Sequence, residues 1–196
     1  IHLQSLTGVT LSNVAISGNT EVGINAHEVT TFSLLNSSIA NAGNAPDEDG
    51  IHAFNMRGTV NVTGTTITSS GDDNINMQWN TPLTALPAAT ATVTVSGGSF
   101  NTGVLGSGVL FGVRASSNVT IDVLNTTINN NFSGSVVADT YDYATSSVEV
   151  ATSTITNNND GIAISGNHGH TDFDVHNMTN MSGQDFVNIS ITKAAC

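Results

Sequence analysis

One spacing recurs six times along this chain: an apolar residue, any residue, a second apolar residue, and a third five places further on. The rows are Val9/Leu11/Ile16, Phe32/Leu34/Ile39, Val60/Val62/Ile67, Val93/Val95/Phe100, Ile121/Val123/Ile128 and Val148/Val150/Ile155. A seventh opens at Phe173/Val175, with its third place falling to Met178 or Met181. Another short alternating segment goes with each coil: Ile24/Ala26, Ile51/Ala53, Ile75/Met77, Val109/Phe111, Val136/Ala138, Ile162/Ile164 and Val187/Ile189. These begin 27, 24, 34, 27, 26 and 25 residues apart. One insertion, around residues 79–91 and containing Trp79, Pro82 and Pro87, accounts for the long step. Period-2 alternation without a helical period argues for strands and against a leucine-rich horseshoe. A fixed offset repeated this often argues for a solenoid over an antiparallel sandwich. The expected fold is all-β: a right-handed parallel β-helix of about seven coils, residues 1–196 making a single domain.

The corners carry their own signal. Two places beyond the second apolar residue stand Asn13, Asn36, Gly64, Gly97, Asn125, Thr152 and Asn177. Asn and Gly tolerate a left-handed backbone, so this column predicts a tight bend between two sheets. A second Asn-rich position follows the third strand, at Asn19, Asn41, Asn101, Asn129 to Asn131 and Asn157 to Asn159, where stacked amides can form a hydrogen-bonded ladder.

Composition narrows the partners. Three basic residues (Arg57, Arg114, Lys193) face 15 carboxylates, for a net charge of −12. Such a surface repels nucleic acid and anionic membranes and leaves cations and neutral glycans as ligands. No apolar stretch is long enough to span a bilayer, so no membrane insertion is expected. The lone cysteine, Cys196, has no intrachain partner. A start at Ile1 within a strand pattern, and open coil ends without a capping helix, lead to the expectation of a monomeric piece of a longer protein.

Chemistry concentrates ahead of the first strand of each coil, at Glu21, Asp49, Asp72, Asp73, Asp160 and Asp185. Asp-Gly turns that cap incoming strands explain most of these. The group Asp47, Glu48, Asp49, Asp72 and Asp73 is denser, because like charges on adjacent coils raise one another's pKa or demand a cation. Calcium held by Asp47, Glu48, Asp49 and Asp73 fits hard-oxygen chemistry. A zinc site from His27, His52 and Asp49 lacks local ligand spacing, and His168, His170, Asp172 and His176 alternate in direction. On the outward face of the first sheet, His27, His52, Asn76, Gln78 and Trp79 offer rings and hydrogen-bonding groups suited to saccharide binding.

The segments Glu48-Asp49-Gly50-Ile51-His52 and Gly71-Asp72-Asp73-Asn74-Ile75 resemble the Asp-Gly-Ile and Gly-Asp-Asp motifs of the inverting polygalacturonases, which share this fold. The whole chain is similar to the pectin-lyase-like β-helix repeats of secreted bacterial surface proteins. The first resemblance implies Asp72 as general acid and Asp49 with Asp73 as base. Departures accompany it: Gly106-Ser107-Gly108 stands where that family has Gly-His-Gly, and Val136 to Tyr141 supplies no basic pair for a uronate. The expected function is therefore non-enzymatic: a secreted or cell-surface bacterial segment for adhesion or binding of a polysaccharide or cell-surface glycan. The alternative is a polygalacturonase-like inverting glycosidase, or a polysaccharide lyase, acting on a uronate-containing polysaccharide. Whether Arg57 or Arg114 points at the acidic group separates them.

Overall fold

The computed structural model describes residues 1–80, 88–182 and 187–192. Pro82, Pro87, Asp185, Lys193 and Cys196 lie outside them. Among the described residues there is no helix, and every strand pairing between coils is parallel. The chain is a β-solenoid of about seven turns built from three stacked sheets. The first sheet has eight strands: His2–Gln4, Ile24–His27, Ile51–Phe54, Ile75–Trp79, Val109–Val113, Gly134–Tyr141, Asp160–Asn167 and Val187–Thr192. The second and third have seven each, and the sheet order repeats coil after coil.

The sequence rows are the registers. Ile24, Ile51, Ile75, Val109, Val136, Ile162 and Val187 stand opposite one another in a single column. All are buried except Val187, which is 40 % exposed in the last coil. Val9, Phe32, Val60, Val93, Ile121, Val148 and Phe173 form a second column. Ile16, Ile39, Ile67, Phe100, Ile128 and Ile155 form a third, and the register assigns its seventh place to Met181. A full burial of such a side chain contributes roughly 1.5–3 kcal/mol. The core is therefore strongest where a coil has neighbours on both sides.

Corner chemistry follows the same logic. Asn13, Asn36, Gly64, Gly97, Asn125, Thr152 and Asn177 all have positive φ, so Thr152, the one member that is neither Asn nor Gly, is carried into the left-handed bend by its stack position. The next residue inward is often a hydroxyl. Ser37 and Thr65 are linked, as are Thr126 and Ser153, by backbone and side-chain hydrogen bonds in the interior. A buried amide ladder joins Asn74 to Asn131 (2.8 Å) and Asn131 to Asn158 (2.8 Å). These buried hydroxyls and amides thereby find partners one coil away or further along the stack.

Trp79 is a correction. Expected to face a saccharide groove beside the insertion, it is fully buried, and its indole Nε1 donates to the Met56 carbonyl at 2.8 Å. The cause is alternation: Ile75, Met77 and Trp79 share the inward side of one strand, leaving Asn76 and Gln78 outward.

Candidate functional site

Register fixes where the carboxylates meet. Counting two residues back from Ile51, Ile75, Val109, Val136 and Ile162 gives Asp49, Asp73, Ser107, Gly134 and Asp160 in one column. Asp72 lies one place earlier, level with Glu48 and Gly106. Asp49 and Asp73 are buried, at 0 % and 6 % exposure, while Asp72 is half-buried. An oxygen from each of the three lies within 4.8 Å of the others.

Backbone donors hold this arrangement. Asp49 Oδ1 accepts from the Asp73 N–H (3.0 Å), and Asp73 Oδ1 accepts from the Ser107 N–H (2.5 Å). Asp72 Oδ2 accepts from the Asp47 N–H (3.0 Å). Asp49 Oδ2 meets His52 Nδ1 in a very short contact. Gly106 sits directly above: a Cβ there would lie 2.4 Å from both Asp72 Oδ1 and Asp73 Oδ1. Burial pushes Asp73 up to about 7, with the charges of Asp49 and Asp72 adding to the rise and the Ser107 N–H opposing it. Burial also raises Asp49, against the pull of His52.

Chemically, the cluster is tight. Inverting hydrolysis keeps its carboxyls roughly 6.5–9.5 Å apart to admit a water, and these stand closer. Glu48, expected among calcium ligands, spends Oε2 on the N–H groups of Asn44 (2.5 Å) and Ala45 (2.7 Å), capping its own turn. Asp47 enters through its N–H. A hard cation would draw chiefly on Asp72, because Asp49 already uses both oxygens.

The two described arginines are engaged elsewhere. Arg114 lies over the Tyr141 ring, 4.5 Å from its centroid, past the end of strand Val109–Val113. The acidic cluster lies ahead of the strand starts, so about 17 Å of strand separates the two. Arg57 Nη1 donates to the Ala88 carbonyl at 3.3 Å, at the start of a strand of the second sheet.

On the outward face of the first sheet, beside the cluster, the rings gather. His27 and Phe54 have centroids 5.0 Å apart, and His52 and Phe54 4.6 Å. An amide chain continues the same face: Gln78 Nε2 donates to Asn76 Oδ1 (3.1 Å), and Asn80 Nδ2 to Gln78 Oε1 (3.2 Å). Phe54 stands where the sequence alternation puts it, outward beside His52, whereas Asn80 is not singled out from sequence. Its alternation with Gln78 on the outward side is the signal that finds it. Glu21 and Asp160 are exposed and stand apart from the cluster. His170 pairs with Asp172 and His176 with Glu149 on the second sheet, so those histidines do not form one site with His168.

The chain matches no protein-family model, no curated protein and no solved structure.

Proposed function

We propose that this protein is a non-enzymatic binding solenoid whose first sheet takes a neutral glycan. The observation that carries the reading is the partly exposed ring cluster of His27, His52 and Phe54, continued by the partly exposed amides of Gln78 and Asn80, with the buried Asn76 accepting from Gln78. Rings offer faces to the C–H side of a sugar, while amides donate to and accept from its hydroxyls. Parallel strands repeat these groups every 4.8 Å or so along a surface, which suits a polymer. The neutral, hydroxyl- and amide-rich composition supports a role outside a bacterial cell, secreted or on its surface. Affinity electrophoresis through gels cast with neutral polysaccharides tests it. Retardation by at least one, weakened about fivefold in Phe54→Ala, is the expected result, since losing an aromatic contact costs about 1 kcal/mol. Migration unchanged in every gel would sink the reading.

A second reading, hydrolysis or elimination on a uronate-containing polysaccharide, draws on the convergence of Asp49, Asp72 and Asp73 and the near-neutral pKa of Asp73. Against it stand the tight spacing, the burial of two of the three carboxylates and the arginines turned elsewhere. Cleavage of polygalacturonate by the native chain, lost in Asp72→Asn, would establish it. Thermal melting with and without calcium reports separately on cation binding at the same cluster.

A further inference from the structure

We propose that the outward face of the first sheet also carries a site for a late first-row divalent metal ion such as zinc, formed by His2, His27 and His52 around Asn25. The inference shares His27 and His52 with the glycan reading but does not rest on it. Register creates the juxtaposition: His2, Asn25 and His52 are opposite one another on three successive coils, and His27 lies two residues along Asn25's own strand on the same face. Asn25 therefore has an imidazole on each of three sides.

Each member is suited to ligation. The His2 and His27 rings lie 6.1 Å apart at a 48° tilt. With Zn–N near 2.1 Å, a metal sits about 3 Å from a ring centre, so rings about 6 Å apart reach one ion. His52 is held at Nδ1 by the buried Asp49, which leaves Nε2 for a ligand. A carboxylate on the far nitrogen is the usual way a metal-binding histidine is oriented and made more basic. Asn25 Oδ1 is shut off from solvent and accepts no hydrogen bond. Such an orphan is unfavourable, and an ion or its bound water at the centre of the three rings would give it a partner.

The three rings do not meet in one coordination sphere as they stand. Closure requires His2, which is exposed, and His27, which is half-buried, to turn toward His52, which Asp49 holds in place. The acidic trio of Asp49, Asp72 and Asp73 prefers hard cations, whereas imidazoles select zinc, nickel and copper. The two sites thus respond to different ions.

The test titrates the full chain, purified without a histidine tag, with Zn2+ by calorimetry and with Co2+ by visible absorption. One equivalent of Zn2+ is expected, displacing Co2+ and its ligand-field bands. His2→Gln and His27→Gln should each weaken binding about tenfold or more, while Asp72→Asn leaves it unchanged. Both histidines lie at the surface, so these variants keep the fold, which circular dichroism checks. Two results overturn the proposal: no uptake of either metal, or uptake that Asp72→Asn abolishes and His27→Gln does not affect.

Discussion

Two groups of carboxylates occupy two sheets of the same solenoid, and the fold treats them in opposite ways. At the edge of the first sheet, Asp49 and Asp73 are taken out of water and satisfied by backbone N–H groups from the next coil. On the outward face of the second sheet, Asp122, Glu149 and Asp174 stand opposite one another on three successive coils, the first two partly exposed and the third exposed. There the only described counter-charge is His176, 3.1 Å from Glu149 and 3.8 Å from Asp174. Stacking places like charges one coil apart in both cases. In the first, burial dominates the pKa, and in the second, water screens most of the repulsion. A repeat fold can therefore hold the same residue type as an internal fastening or as a solvated row, depending on which side of the strand it falls.

The largest effect that separates them is in pH. Asp73 has a folded pKa of about 7 against an ordinary value of 3.8. A raised carboxyl keeps its proton in the folded state after the unfolded chain has lost it, so the unfolded state binds fewer protons between about pH 4 and pH 7. Stability accordingly falls as pH rises through that window and levels off above it. Roughly three pKa units correspond to about 4 kcal/mol. Denaturant melts from pH 4.5 to 8 should show native stability declining relative to Asp73→Asn. The amide keeps the acceptor for Ser107 but cannot ionise, so this variant should be the more stable one at pH 8. Parallel curves for the two proteins would mean that Asp73 ionises normally and that its burial has been misread.

Next in size is Gly106. Any side chain there collides with two carboxylate oxygens at 2.4 Å and with the Asp73 nitrogen at 2.7 Å. Gly106→Ala should cost about 1–3 kcal/mol as the coil shifts to make room. A change within about 0.5 kcal/mol would show that the cluster is loose, more like the solvated row than like a fastening.

Sequence made the stack legible because its signal was repeated: each apolar column is sampled once per coil, and six matching rows leave little freedom of register. The first corner was legible for the same reason. The corner after the first sheet was not. Ser5, Glu28, Asn55, Asp142 and His168 all take positive φ there, yet they share no chemistry, because position rather than residue preference imposes the bend. At the site, the meeting of Asp49, Asp72 and Asp73 was foreseen from one-coil spacing. Their burial was not, since it depends on the Gly106–Ser107 backbone crossing above them. Trp79 was misassigned because its neighbourhood to Pro82 outweighed the alternation of its own strand. The Asn25 environment escaped notice because it needs His2 and His52 in register, which the first apolar rows alone do not fix.

The smallest effect belongs to the solvated row. Partial burial and then the charge of Glu149 raise the pKa of Asp122, which stands opposite it one coil away. Glu149→Gln removes that charge while keeping the shape, so the Asp122 pKa should drop, with the burial contribution left in place. Stability should change by no more than about 0.5 kcal/mol, as is usual for exposed charges. The same substitution leaves His176 with Asp174 at 3.8 Å as its remaining carboxylate neighbour. Carboxyl shifts followed by NMR in the native chain and in Glu149→Gln measure the change at Asp122. If Asp122 did not move, its raised pKa would come from burial alone, and the stacked row would be three independent surface charges. If stability fell by several kcal/mol, the row would be a fastening like Asp49 and Asp73, and the contrast between the two sheets would disappear.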